Sequence, residues 1–268
     1  MFKIIDKKIR ESFSNASILY DTLAGLHREI GRELIKKARP AIQCPDDQQL
    51  MMLDVGMGTG WLTKKITFWY PDARVIGLDF ADGMIQSAKK DMEEYSIVQG
   101  DAMNLPFRDG SLDVIFSNLS LQWVRSFDDF FKEVQRVLKP GGKFFATVFG
   151  RQTFEELFKS LEATRSEDHR CQEQILTRLR SKEELYASLQ SGQLVTHHFD
   201  YEHIKVHYPS MMDLLKWIKK IGANRLANGS RVGKDWLNRT DQYYQQHFSD
   251  RMGVQATLEI IWMEIENQ

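Results

Sequence analysis

The sequence predicts an α/β fold in which an open, mostly parallel sheet carries helices on both faces. From residue 51 onward, short apolar runs alternate with helical ones, such as MMLDVG followed by TGWLTKKITFWY, and RVIGLD followed by ADGMIQSAKKDMEEY. The first apolar run ends in a glycine-rich turn, VGMGTG, that leads directly into a helix. Parallel strands require such crossover helices, so this alternation is typical of a doubly wound sheet.

One domain is predicted over residues 1–268. Residues 1–45 are expected to form an N-terminal helical lid, because apolar side chains recur every three or four positions and the motif ARP should end the helix. Residues 50–150 form the strand–helix core. Residues 151–253 are expected to supply helices and one outer strand, and residues 254–268 have the pattern of a closing strand.

The composition is that of an ordinary globular protein. The chain has 268 residues, is 42% hydrophobic and 27% charged, and has a net charge of -1, so no global attraction to nucleic acid or membranes is expected. The opening segment MFKIIDKKIRESFSN lacks the apolar stretch of a signal peptide, and no apolar run is long enough to span a bilayer. Cys44 and Cys171 lie far apart, which argues against a disulfide framework or a zinc site and fits a reducing cytoplasm.

The turn after the first strand has the chemistry of a ligand cradle. Gly56, Gly58 and Gly60 let the backbone bend sharply and approach a ligand, and the helix that follows offers free N–H groups. Trp61 stands where the dinucleotide-binding pattern has its third glycine, which disfavours a pyrophosphate site. A turn that serves packing alone is the alternative.

Two aspartates end the next two predicted strands. Asp79 ends RVIGLD, where its carboxylate can accept both hydroxyls of a ribose that lies across the strand tips. The alternative is a helix N-cap, with Asp82 as the rival. Asp101 in VQGDAMNLPF can accept from an adenine amine, beside the backbone N–H of Ala102, and its alternative is a simple turn aspartate.

The chain resembles the class I S-adenosylmethionine-dependent methyltransferases in five segments that occur in that family's order and spacing: LDVGMGTG, GLDFADGMI, GDAMNLPF, LDVIFSN and VLKPGGKFFATVF. The resemblance implies a Rossmann-like, mostly parallel, seven-stranded sheet with a reversed terminal hairpin. It also implies that the cofactor S-adenosyl-L-methionine binds at the strand tips. The segment LKPGG is expected to be a structural turn and not a contact site.

By position, the resemblance implies contacts along the whole cofactor. Asp54 and the glycine loop would face the methionine moiety, Asp79 would bind the ribose, and two apolar side chains would pack on the adenine. The residues implied are Asp54, Gly56, Met57, Gly58, Asp79, Phe80, Met84, Asp101, Ala102, Asn118 and Leu119. The last two would lie near the sulfonium. Met57 replaces the small or Cys residue of many relatives, which should reshape the pocket wall.

A more specific resemblance covers nearly the whole chain. The chain resembles the malonyl-acyl-carrier-protein O-methyltransferases of biotin biosynthesis in the segments FSNASILYDTLAGLHREIGREL, SNLSLQWV, VFGRQTFEELFKSL, DLLKWIKKIGANR and GVQATLEIIW. This implies methylation of the free carboxylate of a malonyl thioester, which gives the methyl ester that primes pimeloyl and biotin synthesis. The thioester would be on acyl carrier protein, and malonyl-CoA stays open as a further acceptor. The carboxylate is ionised near neutral pH, so the reaction needs positioning but no general base.

Five side chains are candidates to position the acceptor carboxylate. Tyr20 and His27 lie two turns apart on one helical face, so both can point into the site from the lid. Gln122 and Trp123 follow the fourth strand, and Arg151 follows the fifth, where it is expected to start a helix. The alternatives are a half-buried lid aromatic for Tyr20, a surface histidine for His27 and a surface arginine for Arg151.

A basic segment is the candidate contact for the carrier protein. Residues 207–239 contain seven Lys or Arg residues against two acids. Acyl carrier proteins are acidic, so the segment is a candidate docking face, and a solvated basic helix surface is the alternative. The residues proposed for that contact are Lys216, Lys219, Lys220 and Arg225.

Two other functions stay open on the sequence. A methyltransferase that acts on a free small-molecule acid or a quinone precursor would share the cofactor motifs but would not need the basic segment. A non-catalytic assembly factor would keep the fold, since a mitochondrial respiratory-complex assembly protein is similar around SNLSLQW. The absence of an Arg/Ser-rich presequence argues against that location. Residues 163–195 match no motif.

Overall fold

A computed structural model of the protein describes residues 25–44, 48–92, 94–165, 179–190, 192–220 and 234–268. Its strands are β1 (Met51–Val55), β2 (Arg74–Asp79), β3 (Ser96–Gln99), β4 (Leu112–Asn118), β5 (Leu138–Phe149), β6 (Leu194–Tyr208), β7 (Ser249–Asp250) and β8 (Gly253–Asn267). Its helices are α1 (Gly25–Ala38), α2 (Trp61–Trp69), α3 (Asp82–Lys89), α4 (Phe127–Val137), α5 (Glu155–Ala163), α6 (Lys182–Leu189), α7 (Met211–Lys220) and α8 (Lys234–Phe248). Turns of 3-10 helix lie at Arg39–Ala41 and Leu121–Trp123.

The strands form one sheet in the order β3-β2-β1-β4-β5-β8-β6, and the two-residue β7 pairs with β8. Strands β1 to β5 pair in parallel, whereas β8 runs antiparallel to both β5 and β6. The predicted mostly parallel sheet with a reversed closing strand is therefore confirmed. The strand order reverses at β1, which lies between β2 and β4, and ligands of open α/β sheets bind at the carboxyl ends of strands at such a point.

Side chains of the central strands alternate between two hydrophobic cores. Met52 of β1 packs in the core beneath α1 and α2, whereas its neighbour Leu53 packs in the core beneath α4 and α6. Both are fully buried, because successive strand side chains point to opposite faces of a sheet. A third core joins α5, α7 and α8 to β8. Helices on both faces thus fix the tips of β1, β2 and β4.

Element boundaries agree with the sequence at one point and differ at two. Helix α1 ends at Ala38, and Pro40 lies in the 3-10 turn that follows, as the motif ARP predicts. The segment LKPGG opens strand β5 instead of forming a separate turn, and the pairing with β4 shifts register there. Arg151 does not start a helix, because α5 begins only at Glu155. Among the helices described, none is long and apolar enough to cross a membrane.

Candidate active site

The glycine loop passes between the tips of β2 and β4 at very close range. Gly56, Gly58 and Gly60 have φ angles of 74°, 56° and 85°, the left-handed region that glycine adopts without strain. The backbone N–H of Gly56 donates to the carbonyl of Leu78 over 2.8 Å. A Cβ added to Gly56 would lie 2.4 Å from the side chain of Ser120. A glycine is therefore required at residue 56 for both conformation and space.

A first cavity opens at the tips of β1, β2 and β4. Its volume is about 930 Å³, including the space open to solvent. Its lining includes Gly56, Gly58, Asp79, Phe80, Met84, Asp101, Ala102, Asn118, Leu119 and Trp123. The loop after β1 and the ends of three strands thus enclose a space that suits a nucleoside.

Asp79 is buried on the wall of the first cavity. One carboxylate oxygen accepts from the N–H of Gly58 over 2.9 Å, and the other accepts from the N–H of Ala81 over 2.8 Å. Burial raises the pKa of Asp79, and these amide donors oppose the rise. A carboxylate has about four acceptor positions, so the donors leave capacity for the hydroxyls of a ribose.

Asp101 lies at the exposed mouth of the first cavity. One of its oxygens accepts from the N–H of Met103 over 2.9 Å, and the other pairs with Arg125 over 3.3 Å. Ala102 and Arg125 also line this cavity. The first cavity therefore has a charged rim, in which Arg125 is a residue that sequence reasoning missed.

A second cavity adjoins the first on the side of helix α1. Its volume is about 430 Å³, including the space open to solvent. Its lining consists of His27, Arg28, Asp54, Gly56, Met57, Gly58, Thr59, Trp61, Leu62 and Asn118. Gly56, Gly58 and Asn118 line both cavities, so the two spaces meet at the glycine loop.

Asp54 is the buried acid of the second cavity. It is 1% exposed, and the hydroxyl of Thr63 donates to its carboxylate over 2.6 Å. Burial raises the pKa of Asp54 to about 7, and the nearby carboxylate of Asp79 adds to the rise. Asp54 can therefore change its charge near neutral pH, depending on what binds beside it.

His27 lies between aromatic rings at the other wall of the second cavity. Its ring centroid is 6.0 Å from that of Phe149 and 6.4 Å from that of Trp217 on α7. Burial lowers the pKa of His27 to about 4, so the imidazole is neutral at pH 7. The prediction that this residue points into the site fits its position, whereas the alternative of a surface histidine does not, because it is 9% exposed.

Asn118 connects helix α1 to the sheet. Its amide nitrogen donates to the backbone carbonyl of His27 over 2.9 Å, and its amide oxygen accepts from the hydroxyl of Thr147 over 2.8 Å. The next residue, Leu119, has a φ of 49°, which is uncommon for a residue other than glycine. The tip of β4 is therefore held in a constrained conformation where the two cavities meet.

The other residues predicted to position the acceptor carboxylate differ in whether they line a cavity. Gln122 is buried and donates to the carbonyl of Leu119 over 2.8 Å, but it is not among the residues that line either cavity. Trp123 lines the first cavity. Arg151 lines neither cavity and instead pairs with Glu184, with two contacts of 2.9 Å. Tyr20 lies outside the described residues.

Met57 has a packing role that the sequence did not indicate. Its sulfur occupies the space above Gly77, 2.1 Å from the place of a Cβ on that glycine. The side chain belongs to a buried cluster with Ile85, Ala88 and Met92. Met57 also lines the second cavity, so it shapes the wall while its side chain anchors the loop.

Arg28 is a second cavity-lining residue that sequence reasoning missed. It lines the second cavity and is the only Lys or Arg among the residues that do so in the described part of the chain. Its position next to His27 was the available signal, but residues adjacent in a helix point in different directions. Only the packing of α1 shows that both reach the same cavity.

The comparisons with known proteins identify the family. Residues 53–146 match the family described as "Methyltransferase domain". The malonyl-acyl-carrier-protein O-methyltransferase of Hahella chejuensis is 31% identical over 96% of this chain and 89% of its own length. The chain belongs to this family. The family member of Methylococcus capsulatus is also 31% identical, over 95% of this chain and 91% of its own length.

Further relatives agree with this family and with the fold. The bifunctional biotin biosynthesis protein BioHC of Cellvibrio japonicus is 28% identical over 97% of this chain, which spans 50% of that protein. The crystal structure of YcgJ from a Bacillus species has a TM-score of 0.62 at 21% identity and covers 88% of this chain and 98% of its own. A Haemonchus contortus phosphoethanolamine N-methyltransferase 2 complex with S-adenosyl-L-methionine has a TM-score of 0.59 at 20% identity, over 95% of this chain and 57% of its own.

The chain is thus a methyltransferase of a family whose methyl donor is S-adenosylmethionine, and the residues present fit that cofactor. The first cavity has room for an adenosine, and Asp79 has acceptor capacity for ribose hydroxyls. A Cβ on Gly56 would clash with Ser120, which also lines the first cavity. All eleven residues that the resemblance implies for the cofactor line one cavity or the other.

Proposed function

We propose that the protein transfers a methyl group from S-adenosylmethionine to the free carboxylate of a malonyl thioester on acyl carrier protein. The observation that carries the proposal is the identity of 31% with two malonyl-acyl-carrier-protein O-methyltransferases over nearly the whole chain. The second cavity supports it, because it continues from the glycine loop to His27 and Arg28 of helix α1, so that the methionine end of the cofactor and the acceptor can meet there.

The reaction requires positioning more than acid–base catalysis. When bound, S-adenosylmethionine supplies an electrophilic methyl group. A malonyl carboxylate is already ionised near neutral pH, so no residue has to remove a proton from it. The chain must hold one oxygen in line and keep water out, and such positioning can contribute about 7–11 kcal/mol.

The charges of the second cavity suit a carboxylate that loses its charge. His27 is neutral because burial lowers its pKa to about 4. A close cationic clamp on the attacking oxygen would stabilise the anion more than the transition state, in which the negative charge decreases. A neutral His27 avoids that penalty, and Arg28 supplies the positive charge that draws a carboxylate into the cavity.

The carrier protein is proposed to dock beside this cavity. Helix α7 flanks it through Trp217, whose ring lies 6.4 Å from His27. Lys216 on α7 pairs with Asp213 over 2.9 Å, whereas the side chains of Lys219 and Lys220, like the whole of Arg225, lie outside the described residues. The change Lys219→Glu with Lys220→Glu is expected to slow turnover of the carrier-protein substrate in a salt-sensitive way, since rim charges act mainly on encounter.

One experiment tests the proposed reaction. The protein is incubated with S-adenosylmethionine and malonyl-loaded acyl carrier protein, and the carrier protein is examined by mass spectrometry. A base-labile gain of one methyl group is expected, and acetyl-loaded carrier protein, which has no free carboxylate, should gain nothing. Cofactor binding without any methyl gain would contradict the proposal and would favour a non-catalytic role.

A further inference from the structure

Helices α1 and α2 present a surface on which cations lie over exposed aromatic rings. The guanidinium carbon of Arg39 lies 4.1 Å from the centroid of the Trp69 ring, and the amino nitrogen of Lys65 lies 5.9 Å from that of Phe68. Phe68 and Trp69 contact each other edge to face, with centroids 5.6 Å apart. We call this surface the α1–α2 face. It consists of Arg32, Arg39, Trp61, Lys65, Phe68 and Trp69.

The aromatic side chains of this face are exposed although they are large. Phe68 is 72% exposed and Trp69 is 46% exposed. Helix α2 does not need them for packing, because it buries Leu62, Thr63 and Ile66 against the sheet. Adjacent exposed aromatic rings of this size are typical of interaction sites.

The charge of this surface contrasts with that of the whole chain. Residues 25–39 and 61–69 contain seven Lys or Arg residues against Glu29 and Glu33, while the chain has a net charge of -1. Both acids are already paired, with Arg32 and Lys36. Within the described ranges, no carboxylate lies at ion-pair distance from Lys37, Arg39, Lys64 or Lys65. The surface therefore offers cations to an acidic partner.

The face begins at the mouth of the second cavity. Trp61 lines that cavity, and the guanidinium carbon of Arg32 lies 5.4 Å from the centroid of the same ring. From Trp61 to Trp69 the helix rises about 12 Å at 1.5 Å per residue. A macromolecule bound on Phe68 and Trp69 would thus lie about 12 Å along the helix from the second cavity.

We infer that the α1–α2 face is a docking surface for the acidic carrier protein, an inference that rests on the proposed function. Carboxylates of the carrier protein pair with Arg39 and Lys65, and its apolar side chains cover Phe68 and Trp69. Its thioester arm passes Trp61 into the second cavity. A nucleic acid fits less well, because base stacking needs open ring faces and Arg39 already covers Trp69.

The test compares two matched double charge reversals. Arg39→Glu with Lys65→Glu changes the α1–α2 face. Arg108→Glu with Lys132→Glu is the control, because Arg108 is exposed before β4 and Lys132 is exposed on α4, which packs on the opposite face of the sheet. Each variant is assayed with malonyl-loaded carrier protein and with the malonyl thioester of N-acetylcysteamine, which lacks the protein.

The face variant is expected to lose about tenfold in kcat/KM for the carrier protein at low salt, and the loss should shrink as salt screens the charges. Its kcat/KM for the small thioester should stay within about twofold of the unchanged protein, as should both values of the control. Phe68→Ser should also reduce turnover of the carrier protein selectively.

Three outcomes would overturn the inference alone, and two others would overturn it together with the proposed function on which it rests. Equal values for the face variant and the control would show that the carrier protein docks elsewhere, and so would a loss of turnover only with Lys219→Glu and Lys220→Glu. Binding of oligo-dT is measured as well, and a loss of that binding in the face variant without any loss of carrier-protein turnover would show that the face binds nucleic acid instead. If the unchanged protein methylates the small thioester but not the carrier protein, the docking inference fails together with the proposed acceptor protein. If neither substrate is methylated, the proposed methyl transfer itself fails.

Discussion

The side-chain amide of Asn118 donates to the backbone carbonyl of His27 over 2.9 Å. This one hydrogen bond joins the tip of strand β4 to the beginning of helix α1, two elements far apart in the sequence. Together with the buried apolar face of α1, it holds His27 and Arg28 beside the glycine loop, where the two cavities meet. The second cavity therefore exists only while helix α1 is held on the sheet.

The first prediction concerns this connection. Asn118→Ala removes the donor to His27 and the acceptor for Thr147. Leaving partly buried polar groups without partners should lower the free energy of unfolding by about 1–3 kcal/mol. Turnover should fall more than cofactor affinity, because α1 borders the acceptor side. Chemical unfolding measures the free energy of unfolding, titration with the cofactor measures its affinity, and kcat measures turnover. Thr147→Val is the companion variant, since it removes only the hydroxyl and should cost less.

The second prediction concerns the pH dependence of stability. Burial raises the pKa of Asp54 from 3.8 to about 7, so the folded protein binds a proton more tightly there than the unfolded chain does. The resulting stabilisation is fully present below pH 3.8 and is lost as pH rises to about 7. The cofactor-free protein should lose stability relative to Asp54→Asn across this window, by at most about 1.4 kcal/mol per pH unit.

Urea unfolding of both proteins at several pH values measures this difference. His27 has the opposite effect, because burial lowers its pKa to about 4 and its contribution is lost as pH falls from 6.5. Both proteins contain His27, so its contribution cancels in the comparison. Parallel pH curves for the two proteins would show that Asp54 keeps an ordinary pKa.

The third prediction concerns Gly56. Gly56→Ala places a Cβ 2.4 Å from Ser120 at a φ of 74°, so both strain and a clash are introduced. The free energy of unfolding should fall by about 2 kcal/mol or more, and cofactor binding should weaken. Gly141→Ala is a matched control, because Gly141 has a φ of 76° but nothing lies within 4 Å of its added Cβ. Adding Ser120→Gly to Gly56→Ala should restore part of the loss.

The fourth prediction separates two arginines. Arg28→Ala should lower kcat/KM by at least about tenfold, because a charged hydrogen bond to a carboxylate contributes roughly 1.5–3 kcal/mol. Arg151→Ala should change it by less than about twofold, because Arg151 pairs with Glu184 at an exposed position away from both cavities. Initial rates measured against cofactor and acceptor show which KM rises and hence which carboxylate Arg28 holds. Equal effects of the two variants would be incompatible with this assignment.

The sheet could be predicted from the sequence because its signals are local. Apolar runs of strand length, crossover helices and turn glycines are each set by neighbouring residues, and Asp79 and Asp101 follow strands directly. Parallel strands bring their carboxyl ends to one edge. The residues that the resemblance implies for the cofactor lie in segments at that edge, and all of them line one of the two cavities.

The sequence by itself determined the fold class, the family resemblance and the edge of the sheet where the cofactor residues gather. Only the tertiary structure decided which side chains of the helices reach the second cavity. Arg28 enters it and Arg151 does not, although both are arginines near predicted site residues. The physical reason is that a helix places neighbouring side chains about 100° apart, so their directions depend on how the helix packs. For α1, the burial of Ile30, Leu34 and Ile35 in the core sets that packing, and the hydrogen bond from Asn118 to His27 adds to it.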